Sequence, residues 1–351
     1  MKKLTKLTKT ILLLTTAGFM LSGCAKKVDL PTETDTGSLE PDTLSTEETD
    51  TATGTDEDIN DRLQPSGYDL DRAGNKITIP EKVEKIVSLN PAITETLVDM
   101  GLADKLVAVD DYSQYVIASS TDSIPVFSMY EPDHEQLIAL EPDIIFTSGM
   151  VYAGGDNPYV TEEEAGICVA DIPSSTSIAG IQDDIRFIGE VTGEKASAEE
   201  IISDMQAKID EIVDDASSIP EDEKKTVLFL LSVPTDDYSS IYTIGSNTFL
   251  NEMLTDVGAI NVTADQEGWP EISEEAAVGL NPDVILHSVS YVDDVKGTIT
   301  SRKGWENVTA VKNGDIYYID ENSSNRPNAH IVDAMVEIAK TLYPDYFGSI
   351  K

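Results

Sequence analysis

Glu135-Gln-Leu-Ile-Ala-Leu-Glu-Pro-Asp-Ile-Ile-Phe146 and Glu275-Ala-Ala-Val-Gly-Leu-Asn-Pro-Asp-Val-Ile-Leu286 share one plan: a short helical pattern, a Pro-Asp turn and an apolar strand. A second block repeats in the same order. Thr94-Glu-Thr-Leu-Val-Asp-Met-Gly101 matches Asn251-Glu-Met-Leu-Thr-Asp-Val-Gly258 without a gap, so Glu95, Leu97, Asp99 and Gly101 recur as Glu252, Leu254, Asp256 and Gly258. A single helix-turn-strand match is common among α/β chains. Two matching blocks in one order point to internal duplication, and so to two related lobes.

Outward from these blocks the texture supports that plan. Strand-like runs occupy Lys85 to Leu89, Leu106 to Val109, Asp143 to Phe146, Thr226 to Val233, Val284 to Leu286 and Ile316 to Ile319. Helical patterns fall between them, which predicts α/β units with largely parallel sheets. Between the lobes, Ser197-Ala-Glu-Glu200 has the form of a capping box. Ile201, Ile202, Met205, Ile209, Ile212 and Val213 follow at helical spacing, and Pro220 marks a stop. The expected organisation is an N-terminal lobe over 67–179, a connecting helical segment over 180–219 and a C-terminal lobe over 220–351. The expected fold class is therefore α/β, two pseudo-symmetric α/β lobes joined by a single long helix.

Residues 1–23 read as an export signal. Lys2, Lys3, Lys6 and Lys9 precede an apolar stretch, Ile11 to Leu21, that is too short for a bilayer span of ~20 residues. Leu21-Ser22-Gly23-Cys24 resembles the bacterial lipobox, in which the cysteine is diacylated and becomes the mature N-terminus. Such an anchor holds a protein on the outer face of the cell membrane without a protein span. The segment 24–66 is rich in Thr, Asp and Glu with few large apolar residues, and reads as a solvated stalk.

The chain carries 24 Lys and Arg against 65 Asp and Glu, a formal charge of −41, which argues against nucleic acid and anionic lipid as partners. Cys168 is the other cysteine; it has no partner for a disulfide and suits the role of a small buried hydrophobe. No nucleophile-elbow, zinc-protease, phosphate-loop or dinucleotide motif is present, so no catalytic residues are assigned and an enzyme is not expected. With three histidines and no close His pair beside a carboxylate, no resident metal or cofactor is expected either.

Tyr68 to Lys351 as a whole resembles the helical-backbone (class III) solute-binding lipoproteins of ABC importers, the family that carries iron-siderophores, haem and cobalamin. The resemblance rests on Lys85 to Pro91 with Thr94-Glu95, Glu135 to Phe146, Trp269-Pro-Glu-Ile-Ser273, Trp305 to Tyr317 and Arg326-Pro-Asn-Ala-His-Ile-Val-Asp-Ala334. It implies a ligand held in the inter-lobe cleft, with small closing motions. It also implies a permease dimer and its ATPase as partners, met by one surface glutamate per lobe. Glu135 and Glu275 match those positions, and the internal repeat makes the same two residues equivalent.

By the same resemblance, Tyr112, Tyr242 and Trp269 match positions whose rings pack on the corrin in the cobalamin-binding branch. A fourth aromatic of that branch aligns near Met129, with Tyr130 one place along. Flat rings with polar tips suit a broad, mostly apolar macrocycle. Arg326 sits at a family pocket position, while Arg72, Arg186 and Arg302 do not. So few arginines weigh against anionic catecholate chelates. Cobalamin, a hydroxamate siderophore and haem stay open, with Tyr130, His287 and His330 the side chains that could reach a haem iron.

Overall fold

The structure, a computed structural model, describes residues 68–117, 124–149, 157–235 and 240–350. The expected export signal, Cys24 and the stalk lie outside them.

The first lobe runs β1 (Ile86–Ser88), α1 (Pro91–Asp99), β2 (Leu106–Asp110), β3 (Val126–Phe127), α2 (His134–Ala139), β4 (Ile144–Thr147), α3 (Val160–Glu164) and β5 (Cys168–Asp171). Two helices follow, α4 (Ile178–Thr192) and α5 (Lys195–Ala216). The second lobe begins with β6 (Thr226–Leu230), β7 (Ser240–Tyr242), α6 (Phe249–Asp256), β8 (Ile260–Asn261) and β9 (Glu271–Ser273). It continues through α7 (Glu274–Leu280), β10 (Val284–His287), α8 (Val295–Thr300), α9 (Thr309–Asn313), β11 (Ile316–Tyr318), α10 (Glu321–Asn325) and α11 (Ile331–Leu342).

All strands of the two main sheets are parallel, in the orders β3-β2-β1-β4-β5 and β11-β10-β6-β8. Superposing β1 on β6 puts β2 on β8, β4 on β10 and β5 on β11, so the duplication read from sequence is a duplication of topology. The repeated Pro-Asp turns explain why those residues recur. Asp143 accepts from the N–H groups of Glu84 at 2.7 Å and Lys85 at 2.9 Å, tying the start of β4 to the start of β1. Asp283 does the same for β10 and β6, accepting from Thr226 N at 3.0 Å and its hydroxyl at 2.6 Å. Glu141 and Asn281, just before the two prolines, both take positive φ, 50° and 45°. Non-glycine residues seldom do so, and the conformation ends α2 and α7 in the same way.

Each parallel sheet must be covered on both faces, because its strands are apolar on both. In β6, Val227 and Phe229 point to one cluster while Leu228 and Leu230 point to another. In β4, Ile144 and Phe146 join the first cluster and Ile145 a third. That first cluster is shared by the two lobes and is sealed by α4 and α5, through residues such as Ile181, Ile188, Ile202 and Met205. Cys168 lies buried in β5, where burial first, and then Asp71 and Glu163, push its thiol up to about 12. It is chemically inert there.

The connecting segment is helical but in two pieces. Gly193, with φ of 83°, ends α4, and α5 restarts at Lys195. Ser197 therefore lies inside the first turn, and the capping box expected at Ser197 does not form. Val213 is 40 % exposed and falls off the buried stripe. The two helices pack closely where a Cβ added to Gly189 would stand 2.4 Å from Ala198 Cβ. Replacing Gly189 with Leu is expected to destabilise the fold by ~1–3 kcal/mol through overpacking. A denaturant midpoint equal to wild type would show that α4 and α5 need not touch.

Candidate functional site

Ligands of parallel α/β sheets bind outside the carboxyl ends of the strands. At that end of β2, Asp110 is fully buried. Its Oδ1 accepts from the N–H groups of Tyr112 at 2.8 Å and Ser113 at 3.1 Å, and its Oδ2 from the Ser113 hydroxyl. Burial raises the Asp110 pKa while these bonds oppose the rise. Thr94 Oγ1, 2.8 Å from Ser88 Oγ and 2.9 Å from Ser113 Oγ, extends the buried polar chain. The locked turn leaves Tyr112 at the rim, 37 % exposed. Tyr130 neighbours Tyr112, and burial first, then that neighbour, raises its pKa. Met129 is buried, so the ring offered from this loop is that of Tyr130.

In the second lobe Tyr242 ends β7, and its hydroxyl donates to Glu271 Oε2 across the β7–β9 pair at 3.4 Å. Trp269 stands on a turn laced to residues 245–246. There Gly245 N donates to Gly268 O, and Ser246 N to Gln266 O, both at 2.7 Å. A Cβ at Gly245 would lie 2.3 Å from the Gln266 carbonyl oxygen, so only glycine fits. Trp269 leans edge-on against Phe249, centroids 6.1 Å apart, and stays 43 % exposed. Tyr291, not among the expected residues, follows β10 and is 67 % exposed, while burial of its hydroxyl end raises its pKa. An aromatic just past a strand's carboxyl end is the signal that would have found it. The structure thus pairs Tyr112 with Tyr130 in one lobe and sets Tyr242 and Trp269 around one strand pair in the other.

Arg326 lies on the second lobe but is engaged with the first. Its guanidinium pairs with Glu95, whose other carboxylate oxygen accepts from the Asn328 amide. One helical turn on, His330 Nε2 lies 3.0 Å from Asp99 and Nδ1 lies 3.4 Å from Asp333. Hydrogen bonding to Asp99 is the main reason the His330 pKa rises to about 9. The repeat's other glutamate crosses in the opposite sense: Glu252 accepts from Ile178 N, at the start of α4, at 2.6 Å. Asp256, the counterpart of Asp99, faces no such cation, and burial followed by Glu252 pushes it up to about 6. His287 is buried, its pKa lowered by burial, and its ring is tilted against Tyr318. The remaining described arginines are also paired, Arg72 with Asp184, Arg186 with Asp183 and Glu199, and Arg302 with Glu274.

Glu135 and Glu275 occupy the first turns of α2 and α7, two residues after the N-caps Asp133 and Ser273. Burial along 131–140 and 271–280 repeats residue for residue, and both glutamates are exposed. The negative charge of each sits at the positive end of a helix. Among the described residues, no cluster of His, Cys, Asp and Glu is placed to hold a metal ion. No described helix is long and apolar enough to cross a membrane.

A sequence profile of the periplasmic binding protein family matches residues 86–323. An uncharacterised ABC transporter substrate-binding lipoprotein of Bacillus subtilis is 32 % identical over 280 residues, 79 % of this chain and 86 % of that one. A cobalamin-binding protein of Halobacterium salinarum is 28 % identical over 286 residues, 78 % of this chain and 73 % of that one. Among solved structures, a possible iron-binding, periplasmic solute-binding protein of Staphylococcus epidermidis superposes with a TM-score of 0.66 at 26 % identity, covering 75 % of this chain and all of its own. The expected two-lobed architecture, the repeat and the profile agree: this chain belongs to the periplasmic binding protein family, whose members are solute-binding components of transport rather than enzymes.

Proposed function

We propose that this chain captures a corrinoid of the cobalamin type outside the cell membrane, to which a lipid on Cys24 tethers it, and delivers it to an ABC permease and its ATPase. The observation that carries the choice of ligand is the combination of exposed rings with spent arginines. Tyr112, Trp269 and Tyr291 present exposed ring surface, while all four described arginines are held by carboxylates. A large neutral macrocycle gains from flat rings and needs no guanidinium, whereas an anionic chelate would lack its counter-charge. The Halobacterium relative named for cobalamin binding supports the same choice. Haem is the second reading, with Tyr130 as the ligand to iron. Of the imidazoles, His330 is held between two carboxylates and His287 is buried.

Calorimetric titration of the purified protein with cyanocobalamin tests this. Tyr112→Ala and Trp269→Ala are each expected to weaken binding tenfold to a hundredfold, roughly 1.4–2.8 kcal/mol. Absence of binding at micromolar ligand would sink the corrinoid reading, and a shifted Soret band on haem titration would move the assignment to haem.

A further inference from the structure

The residue immediately before each proposed docking glutamate is pinned, and the two lobes pin it with opposite chemistry. In the first lobe His134 opens α2. Its Nδ1 is 2.7 Å from Glu162 Oε1 of α3, and its ring meets the fully buried Tyr159 edge-on at 5.5 Å. In the second lobe Glu274 opens α7. It takes two hydrogen bonds from the Arg302 guanidinium, the Nε one at 2.5 Å, and a third from the indole of fully buried Trp305 at 3.1 Å. Hydrogen bonding to Arg302 is the first cause of the lowered Glu274 pKa.

Each site is thus a close polar side-chain pair backed by a buried ring, at the same offset from Glu135 and Glu275. The residue types are exchanged: a histidine with a glutamate in one lobe, a glutamate with an arginine in the other. What the duplication has kept is the restraint itself. The first-lobe pair carries a cost, since Glu162 is fully buried and its Oε2 has no hydrogen-bond partner. A packed apolar pair would avoid that desolvation, so the polar pair serves geometry better than it serves stability.

We infer that His134–Glu162–Tyr159 and Glu274–Arg302–Trp305 are positioning triads that hold Glu135 and Glu275 in register for the permease, with no part in ligand capture. This rests on the reading that these two glutamates dock. A flexible helix start would let each carboxylate swing, and charge pairs at an interface set register and association rate.

The test uses the full-length, lipidated chain replaced at its own locus. Glu162→Gln and Arg302→Gln are each expected to lower cyanocobalamin uptake about tenfold, with affinity of the purified protein within twofold of wild type. His134→Arg, which keeps a donor opposite Glu162, is expected to retain uptake, and a denaturant midpoint of Glu162→Gln equal to wild type separates lost positioning from lost folding. Wild-type uptake by Glu162→Gln and Arg302→Gln, or affinity falling in step with uptake, overturns the inference. Should the unaltered chain bind no cyanocobalamin, the ligand reading fails separately. The triads are then judged by how much ATPase subunit co-purifies with the full chain from solubilised membranes. Equal recovery by wild type, Glu162→Gln and Arg302→Gln overturns them.

Discussion

Cells whose carrier bears Glu135→Arg together with Glu275→Arg are expected to lose ligand uptake entirely, while the purified double variant binds ligand as tightly as wild type. The two glutamates sit on exposed first turns, two residues past equivalent N-caps, so the duplication sets them at matching points of the two lobes. A pseudo-twofold carrier on a twofold permease would use both. Reversing both charges places like against like at two contacts, and such juxtapositions cost several kcal/mol each. Neither residue is among the rings proposed to hold the ligand, so affinity is the internal control. Normal uptake by this double variant would reduce the glutamates to ordinary solvated helix residues.

The second large effect is expected at Glu95. Its carboxylate serves Arg326 and Asn328 together, with both ion-pair side chains mostly buried, 20 % exposed for Arg326 and 13 % for Glu95. Glu95→Ala strands that guanidinium without its counter-charge and is expected to cost ~3–5 kcal/mol of stability. Chemical denaturation measures it. A loss below about 1 kcal/mol would show that the lobes do not depend on this contact. Arg326→Ala distinguishes a strut from a ligand contact: the strut loses stability, the ligand contact loses affinity.

His330 adds a pH dependence to the same seam. Its folded-state pKa of about 9 lies above the ordinary value of 6.5. The protonated form is the one favoured by folding, so its contribution is complete below pH 6.5 and disappears as pH rises through about 9. His330→Gln should therefore be less stable than wild type at pH 6 and equal to it at pH 10. A difference that persists at pH 10 would mean that the side chain acts through packing instead of charge.

Much of the fold was legible because its signals are local. Apolar runs marked β1, β2, β4, β6, β10 and β11, and the duplicated blocks marked which elements correspond. The unmarked strands include β3 and β8, two residues each, too short to show a period. The start of α5 reads a few residues late, at Ser197, because Ser-Ala-Glu-Glu has the form of a cap while the chain restarts at Lys195. The equivalence of Glu135 and Glu275 was legible for the same reason as the fold, since a repeat identifies corresponding positions without any knowledge of contacts. Arg326 shows the opposite case. Its partner Glu95 is 231 positions away, and a pairing across that separation leaves no local trace. The positioning triads were equally hidden, because a His–Glu pair and a Glu–Arg pair do not resemble each other as letters.

The close contact of Gly189 with Ala198 bears on how the carrier responds mechanically. Helix α4 packs on α1 of the first lobe, while α5 packs on α6 and α11 of the second. Relative motion of the lobes then works against this contact, where two backbones nearly touch, and against the bond between Glu252 of α6 and the start of α4. Small-residue contacts of this kind have no long side chain to absorb shear, and packed interiors yield little. Little lobe motion is therefore expected on ligand binding, and the radius of gyration in solution should stay constant. A permease that met the carrier through Glu135 and Glu275 would then read a change of surface texture at a fixed gauge, not a change of shape.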